Sequence, residues 1–283
     1  MDGILIINKP KSYTSHDVVN VIRKQLNIKK VGHTGTLDPN ATGVLPILIG
    51  KATKVSKYLI EHNKTYIATV KLGEKTDTGD SEGQVVETKK IPESLKQEDV
   101  NKVLQSFLGK QKQLPPMYSA IKVNGKKLYE YAREGKEIKI KPRDIEIYKI
   151  ELLEYKNSKI KFEVECSKGT YIRTLCEDIA EKIETVGYME ELQRTKVNNF
   201  QIENSILLDN ITIENAEQNI IKIEEVFKDK NTIELDSKKL ELFLNGVKLT
   251  YNLPQDIYRI YNNNQFIGIG IIENKLLKRD IVI

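Results

Sequence analysis

One carboxylate in this chain sits where a carboxylate needs a chemical reason. The stretch GHTGTLDPNATGVLP, from Gly32 to Pro46, holds three glycines, four small hydroxyl or amide residues, one His and one Asp. Small residues let a backbone come close to a ligand. Leu37, Val44 and Leu45 flank that loop and would wall Asp38 from water. A carboxylate desolvated in this way needs a cationic partner, or its pKa rises. A partner stands in CSKGTYIRTL, Cys166 to Leu175, where Tyr171 and Arg173 are two apart. In a strand or extended turn the two would face the same way, so that Arg173 clamps Asp38 while Tyr171 lines the same pocket. Each piece alone also has a plainer reading. Asp-Pro opens turns, a YxR is commonly a surface arginine beside a half-buried ring, and Tyr66 in KTYIA fits a core aromatic.

Other chemistries find no support. In IGKAT, a phosphate-binding loop would need Gly at Leu45 and Ser or Thr at Ala52, and both fail. No Ser-His-Asp arrangement accompanies a nucleophile elbow. The three histidines, His16, His33 and His62, and the two cysteines, Cys166 and Cys176, form no metal-ligand spacing and no CxxC. A reducing cytoplasm is therefore expected, with no metal. The N-terminus lacks a basic leader and a cleavage site, and no run approaches the ~20 apolar residues of a membrane span. No coiled-coil heptad or long apolar strip appears, so a monomer is expected.

The elements that must carry these residues read as mixed α and β. GILIINK is a short buried strand stopped by Pro10. TSHDVVNVIRKQL is a helix capped at Thr14 or Ser15, with Val18, Val19, Ile22 and Leu26 on one face. KTYIATVKLG is a strand with Tyr66, Ala68 and Val70 on one face and Ile67 and Leu72 on the other. SLKQEDVNKVLQSFLG is a helix, and QLPPMYSAIKVNGKKLYEYAREG reads as a Pro-Pro corner, a short strand, an Asn-Gly turn and a helix stopped by Gly135. DIEIYKIELLEY and KIKFEVEC are strands, and LCEDIAEKIE is an amphipathic helix. From about residue 200 to Lys230 the pattern is Asn- and Glu-rich with helical periodicity, and the last fifty or so residues suggest a small β-rich module. Strands often follow strands, which predicts an α+β fold on a mixed or antiparallel sheet.

The net charge of +5 is uneven. Residues 201–283 sum to −3, and Lys110 to Arg143 alone holds ten Lys or Arg against three Glu. A basic face suggests a polyanion partner as readily as it suggests a solvated lysine-rich surface.

Together, GHTGTLDPNATGVLP, KTYIATVKLG with TDTGD, PPMYSAIKVNGKKLYEYAREG and CSKGTYIRTL resemble, in that order, the segments of the bacterial tRNA pseudouridine synthase B family. INKPKSYTSHDVV, which contains Lys9, resembles the family's opening. The resemblance spans roughly residues 1–195, and the C-terminal part is compatible with the family's small PUA-like RNA-binding barrel. It implies a catalytic domain over 1–230 with a basic, thumb-like insertion at about 110–143, and a PUA-like module over 231–283.

The activity implied is isomerisation of one uridine in the T loop of tRNA (position 55) to pseudouridine, with no cofactor, no obligate protein partner and no membrane. Asp38 would be the catalytic aspartate, either as nucleophile at the ribose or as base at its 2′ position. Arg173 would keep it ionised, and Tyr66 would stack on the extruded uracil and help remove the C5 proton. Tyr171 and Leu192 would line the pocket, and His33 would meet the RNA where the nucleotide has left its stack. Asp80, Lys9 and the thumb residues Lys122, Lys126, Lys127 and Arg133 complete the expected substrate contacts. Ser12 stands where the family usually has Gly, and Gln193–Arg194 where it usually has paired arginines. Two other readings stay open beside the enzyme. One is a tRNA-folding chaperone; the other is a guide-RNA-dependent relative, against which the lack of long extensions argues.

Overall fold

The computed structural model describes residues 1–60, 62–136 and 138–283. Its largest element is a mixed sheet whose strands run, side by side, Ile206–Leu207, Gly3–Lys9, Thr42–Ile49, Gly187–Val197, Lys64–Leu72, Lys159–Cys166, Arg143–Lys156 and Gly109–Gln113. Most neighbours are antiparallel. The exceptions are Ile206–Leu207 on Gly3–Lys9, and a short parallel contact in which Gln193 and Arg194 face Thr42 and Gly43. That contact joins the two halves of the sheet.

Local chemistry accounts for the elements. Thr14 caps the helix Ser15–Gln25, its hydroxyl accepting from the Asp17 amide while the Asp17 carboxylate accepts from the Thr14 amide. Val18, Val19 and Ile22 on its inner face pack against Leu5, Ile7, Leu45 and Ile47 of the sheet. On the strand Lys64–Leu72, Tyr66, Ala68, Val70 and Leu72 are all buried in the second core cluster. Leu72 thus shares the face of Tyr66 rather than opposing it, as a period of two requires. Opposite them pack Leu175, Ile179 and Ile183 of the helix Ile172–Lys182 and its end.

The segment expected as a thumb-like insertion is anchored in the sheet at both ends. Lys110–Gln113 belong to the edge strand, and Arg143 opens its antiparallel neighbour. Between these anchors the described residues hold a two-stranded hairpin pairing Lys122 with Lys127 and the short helix Leu128–Arg133. The stretch from 200 to 230 is less helical than its periodicity suggested. It holds one α-helix, Ile213–Asn219, among short 3-10 turns and strand fragments.

A second, five-stranded sheet runs Thr232–Glu234, Ile257–Asn262, Gln265–Glu273, Leu276–Val282 and Leu249–Thr250. Its Ile269 and Ile281 pack in one cluster with Ile4, Ile6, Val44 and Leu48, so the small sheet closes onto the back of the large one. Among the described residues no helix is long and apolar enough to cross a membrane.

Candidate active site

The Gly-rich loop that carries Asp38 is held from every side. Ser15 is buried, and its hydroxyl accepts from the Leu37 amide at 2.9 Å and donates to the Leu37 carbonyl at 3.2 Å. The Ser12 amide donates to the Pro39 carbonyl at 2.9 Å, and the Ala41 amide closes a turn on the Asp38 carbonyl at 3.1 Å. Ser12 itself has φ 69°, a left-handed backbone that favours glycine.

Lys9 is fully buried, and its ammonium donates to the carbonyls of Pro10, Tyr13 and Pro39 at 2.5–2.9 Å. Three protons meet three carbonyls, so this lysine, expected among the substrate contacts, is a clamp on the loop. Burial pushes its pKa down to about 8, against the pull of Asp38.

Beneath the loop lies Arg194, 1% exposed. Its Nε donates to the Val44 carbonyl at 2.7 Å and its Nη2 to the Gly35 carbonyl at 2.8 Å. Its backbone runs so close to Gly43 (φ +104°) that a Cβ there would lie 2.1 Å from the Arg194 carbonyl oxygen. Only glycine fits. Across the sheet Arg194 registers opposite Tyr66, which sets its guanidinium beside the phenol. Burial raises the Tyr66 pKa and the neighbouring guanidinium pulls it back.

Arg173 organises the site. It is the second residue of the helix Ile172–Lys182, with Tyr171 as the N-cap. The two therefore converge through a helix start rather than through the extended segment expected of them. Nε of Arg173 lies 3.3 Å from the Asp38 carboxylate and Nη1 lies 3.4 Å from that of Asp80. The same guanidinium donates to the carbonyls of Tyr118 at 2.8 Å and Thr78 at 3.3 Å. One planar cation thus ties together four segments.

Asp80 is buried and fixed by the Thr78 hydroxyl at 2.7 Å and the Glu82 amide at 3.1 Å. Its contacts make it the second anchor of Arg173. The side chain of Asp38 is 39% exposed, because the cleft is open above it, yet the carboxylate stands among packed groups. Burial pushes its pKa up, Arg173 pulls it down, and the Asp80 charge pushes it up again.

Above the pair opens a cleft of about 470 Å³, a usual size for a small-ligand site. Asp38, Tyr66, Tyr171, Arg173 and Leu192 all line it, joined by Leu37, Ile172 and Met189. The walls are aromatic and aliphatic and the floor is charged. That arrangement suits a planar base carried on a sugar, with the sugar against the carboxylate.

The basic segment also reaches the cleft. Tyr118, Ser119, Ala120 and Tyr129 form one rim. Gln113, buried, binds the Tyr171 backbone with both ends of its amide, at 2.8 and 3.0 Å. Lys127 and Arg133 sit over the Tyr129 ring, and Lys126 lies over Tyr131 and pairs with Glu134. Lys122 is exposed on the hairpin. His33 ends a short strand beside Ile47, outside the cleft lining, and burial lowers its pKa, so it is a neutral imidazole near pH 7.

Arg194, Ser15 and Gln113 were not singled out from the sequence as parts of this site. Their partners lie 150, 22 and 58 residues away along the chain, and no local pattern marks them.

Comparison with known proteins shows the family. Residues 23–172 match the TruB family pseudouridylate synthase N-terminal domain, and residues 173–230 match the tRNA pseudouridylate synthase B C-terminal domain. The tRNA pseudouridine synthase B of Clostridium novyi is 47% identical over 285 residues, 98% of each chain. That of Caldanaerobacter subterraneus subsp. tengcongensis is 44% identical over 282 residues, again 98% of each. Among solved structures, the chain is similar to one from a Cbf5–Nop10–Gar1 complex (TM-score 0.69, 26% identity, 95% of this chain and 78% of the other). It also shares its fold with a chain from an H/ACA RNP bound to a substrate RNA containing 2′-deoxyuridine (TM-score 0.70, 22% identity, 99% and 84% covered). With a family model over more than half its length and relatives above 40% identity along nearly all of it, this chain belongs to the TruB family of pseudouridylate synthases, isomerases that make pseudouridine in RNA.

Proposed function

We propose that this protein converts the uridine at position 55, in the T loop of tRNA, to pseudouridine, with Asp38 as its catalytic carboxylate. The observation that carries the reading is the Asp38–Arg173 pair at the floor of a cleft walled by Tyr66, Tyr171 and Leu192. The isomerisation breaks the bond from N1 of uracil to C1′, turns the base, joins C5 to C1′ and moves one proton from C5 to N1. Both roles open to Asp38, attack at C1′ or removal of the 2′ proton, need it ionised. Arg173 favours that form, while burial strengthens every charge interaction once the cleft is closed.

Tyr66 and Leu192 hold the detached base between them so that it is recaptured. The Tyr66 phenol, beside the Arg194 guanidinium, helps to receive the C5 proton. Tyr171 completes the pocket, and His33, as a neutral ring, meets the RNA at the vacated position. Lys122, Lys126, Lys127 and Arg133 hold phosphates of the T stem-loop, and residues 231–283 form a PUA-like module that adds contacts to the same RNA. The protein acts in the cytoplasm as a monomer, without guide RNA, protein partner or cofactor.

The test is pseudouridine mapping at single-nucleotide resolution on an unmodified tRNA transcript and on its isolated T stem-loop, incubated with the purified protein alone. Conversion at one T-loop uridine in both RNAs is expected. Conversion only with an added guide RNA, or binding without conversion as a folding chaperone would give, overturns the reading.

A further inference from the structure

The cleft contains a polar group that the mechanism above does not use. Ser119 is 5% exposed, lies on the rim formed by the basic segment, and lines the cleft. Its backbone is fully engaged: its amide donates to the Met117 carbonyl at 2.9 Å, and its carbonyl accepts from the Tyr129 amide at 3.1 Å. The preceding residue, Tyr118, is pinned by Arg173. The position of Ser119 is therefore set from both sides, but its hydroxyl is buried with no protein partner. A buried hydroxyl in that condition destabilises a fold, and such groups are retained where a ligand completes them.

The other groups of the cleft say which part of a ligand that would be. Asp38 and Arg173 form the charged end, where the sugar reacts. The Thr170 hydroxyl is engaged with the Ser167 carbonyl at 3.0 Å. Tyr66, Met189 and Leu192 offer apolar faces. A pyrimidine base between such faces loses the water on its N3–H and carbonyl edge, and that edge needs a replacement. A serine hydroxyl rotates freely, so it donates to O2 or O4 or accepts from N3–H without movement of the backbone. Among the described residues, Ser119 Oγ is the one buried side-chain polar atom in the lining that lacks a partner.

We infer that Ser119 binds the polar edge of the extruded uracil and so holds the base in register while it is detached from the ribose. This inference rests on the functional reading above. The test compares wild type with Ser119→Ala on T stem-loops carrying uridine, 2-thiouridine, 3-methyluridine or 4-thiouridine at the target position. On uridine the substitution is expected to lower kcat/KM about tenfold, as one hydrogen bond to the base would. On one of the three altered bases, the one whose change removes the bond, the loss should shrink below about twofold. The melting temperature of the free protein should not fall, because the hydroxyl has no protein contact to lose. Unchanged kcat/KM on uridine, a full loss on all three altered bases, or a melting temperature that drops with the activity would each overturn the inference. Absence of conversion by the wild type would instead sink the functional reading, and this one with it.

Discussion

At the floor of the cleft one guanidinium serves two carboxylates and two carbonyls, and its side chain is 8% exposed. On the basic segment, from Lys122 to Lys136, the cations are spread out. Lys122, Arg133 and Lys136 face solvent, Lys126 and Lys136 share Glu134, and Lys127 and Arg133 share the ring of Tyr129. In the first region the guanidinium is desolvated and its partners are fixed by the fold. In the second the charges are wet, redundant and screened by salt. A site that must set the protonation of one carboxylate needs the first kind of order. A surface that must grip a polyanion without reading its sequence is served by the second.

The comparison breaks most visibly at Arg173. Arg173→Met leaves Asp38 and Asp80 without the guanidinium that joins them. We expect a loss of about 100-fold or more in kcat/KM and of about 3 kcal/mol in unfolding free energy, read by single-turnover conversion and urea denaturation. Any activity left should show its acid limb at higher pH, since the charge that pulled the Asp38 pKa down is gone.

Asp80→Asn moves the limb the other way. It removes the like charge that pushes Asp38 up, so the Asp38 pKa falls and activity persists to lower pH. The sign for stability is the reverse of that for activity. Because the folded Asp38 pKa is raised, its contribution to stability is present below the unfolded carboxylate pKa and is lost as pH rises through the folded value. A limb that fails to move in opposite directions for the two variants would mean that Asp38 is not the group titrating.

On the basic segment each single change should be mild. Lys122→Ala or Arg133→Ala should weaken binding about threefold to tenfold, leave conversion at saturating RNA unchanged, and reduce the slope of log affinity against log salt by about 1. A drop in saturated turnover comparable to that of Arg173→Met would erase the distinction between the regions.

The smallest expected effect lies at Ser12. Ser12→Gly relieves a left-handed non-glycine residue and should stabilise the protein by about 1 kcal/mol with no change in turnover.

The same contrast explains what could be read from the chain. Helices and strands were legible wherever one face is buried and the other wet. Thr14 announced the first helix by its capping chemistry, and Ile160, Phe162, Val164 and Cys166 announced a half-buried strand by alternation. Asp38 and Arg173 were legible as partners because a desolvated carboxylate calls for a cation. Their route to each other was not, because an arginine on a helix start and one on an extended turn look alike in a YxR. Lys9 was expected among the substrate contacts only through the resemblance that INKPKSYTSHDVV carries, and lysines are rarely buried. Its three carbonyl partners come from loop folding, which leaves no local mark. Arg194 was noted only as the neighbour of Gln193, which departs from a paired-arginine pattern, although it underlies the loop and the Gly43 contact and stands beside Tyr66. The basic segment was visible from charge alone, but its anchorage through Gln113 and Tyr118 was not.

The central claim is that the carboxylate of Asp38 carries the reaction, and Asp38→Asn tests it with the least change in shape. Pseudouridine is mapped on an unmodified tRNA transcript after incubation with wild type or variant, and RNA binding is measured on the same preparations. The account predicts conversion of one T-loop uridine by the wild type, none by Asp38→Asn, and binding retained by both. Conversion by the variant at a rate near that of the wild type would remove Asp38 from the chemistry and contradict the account.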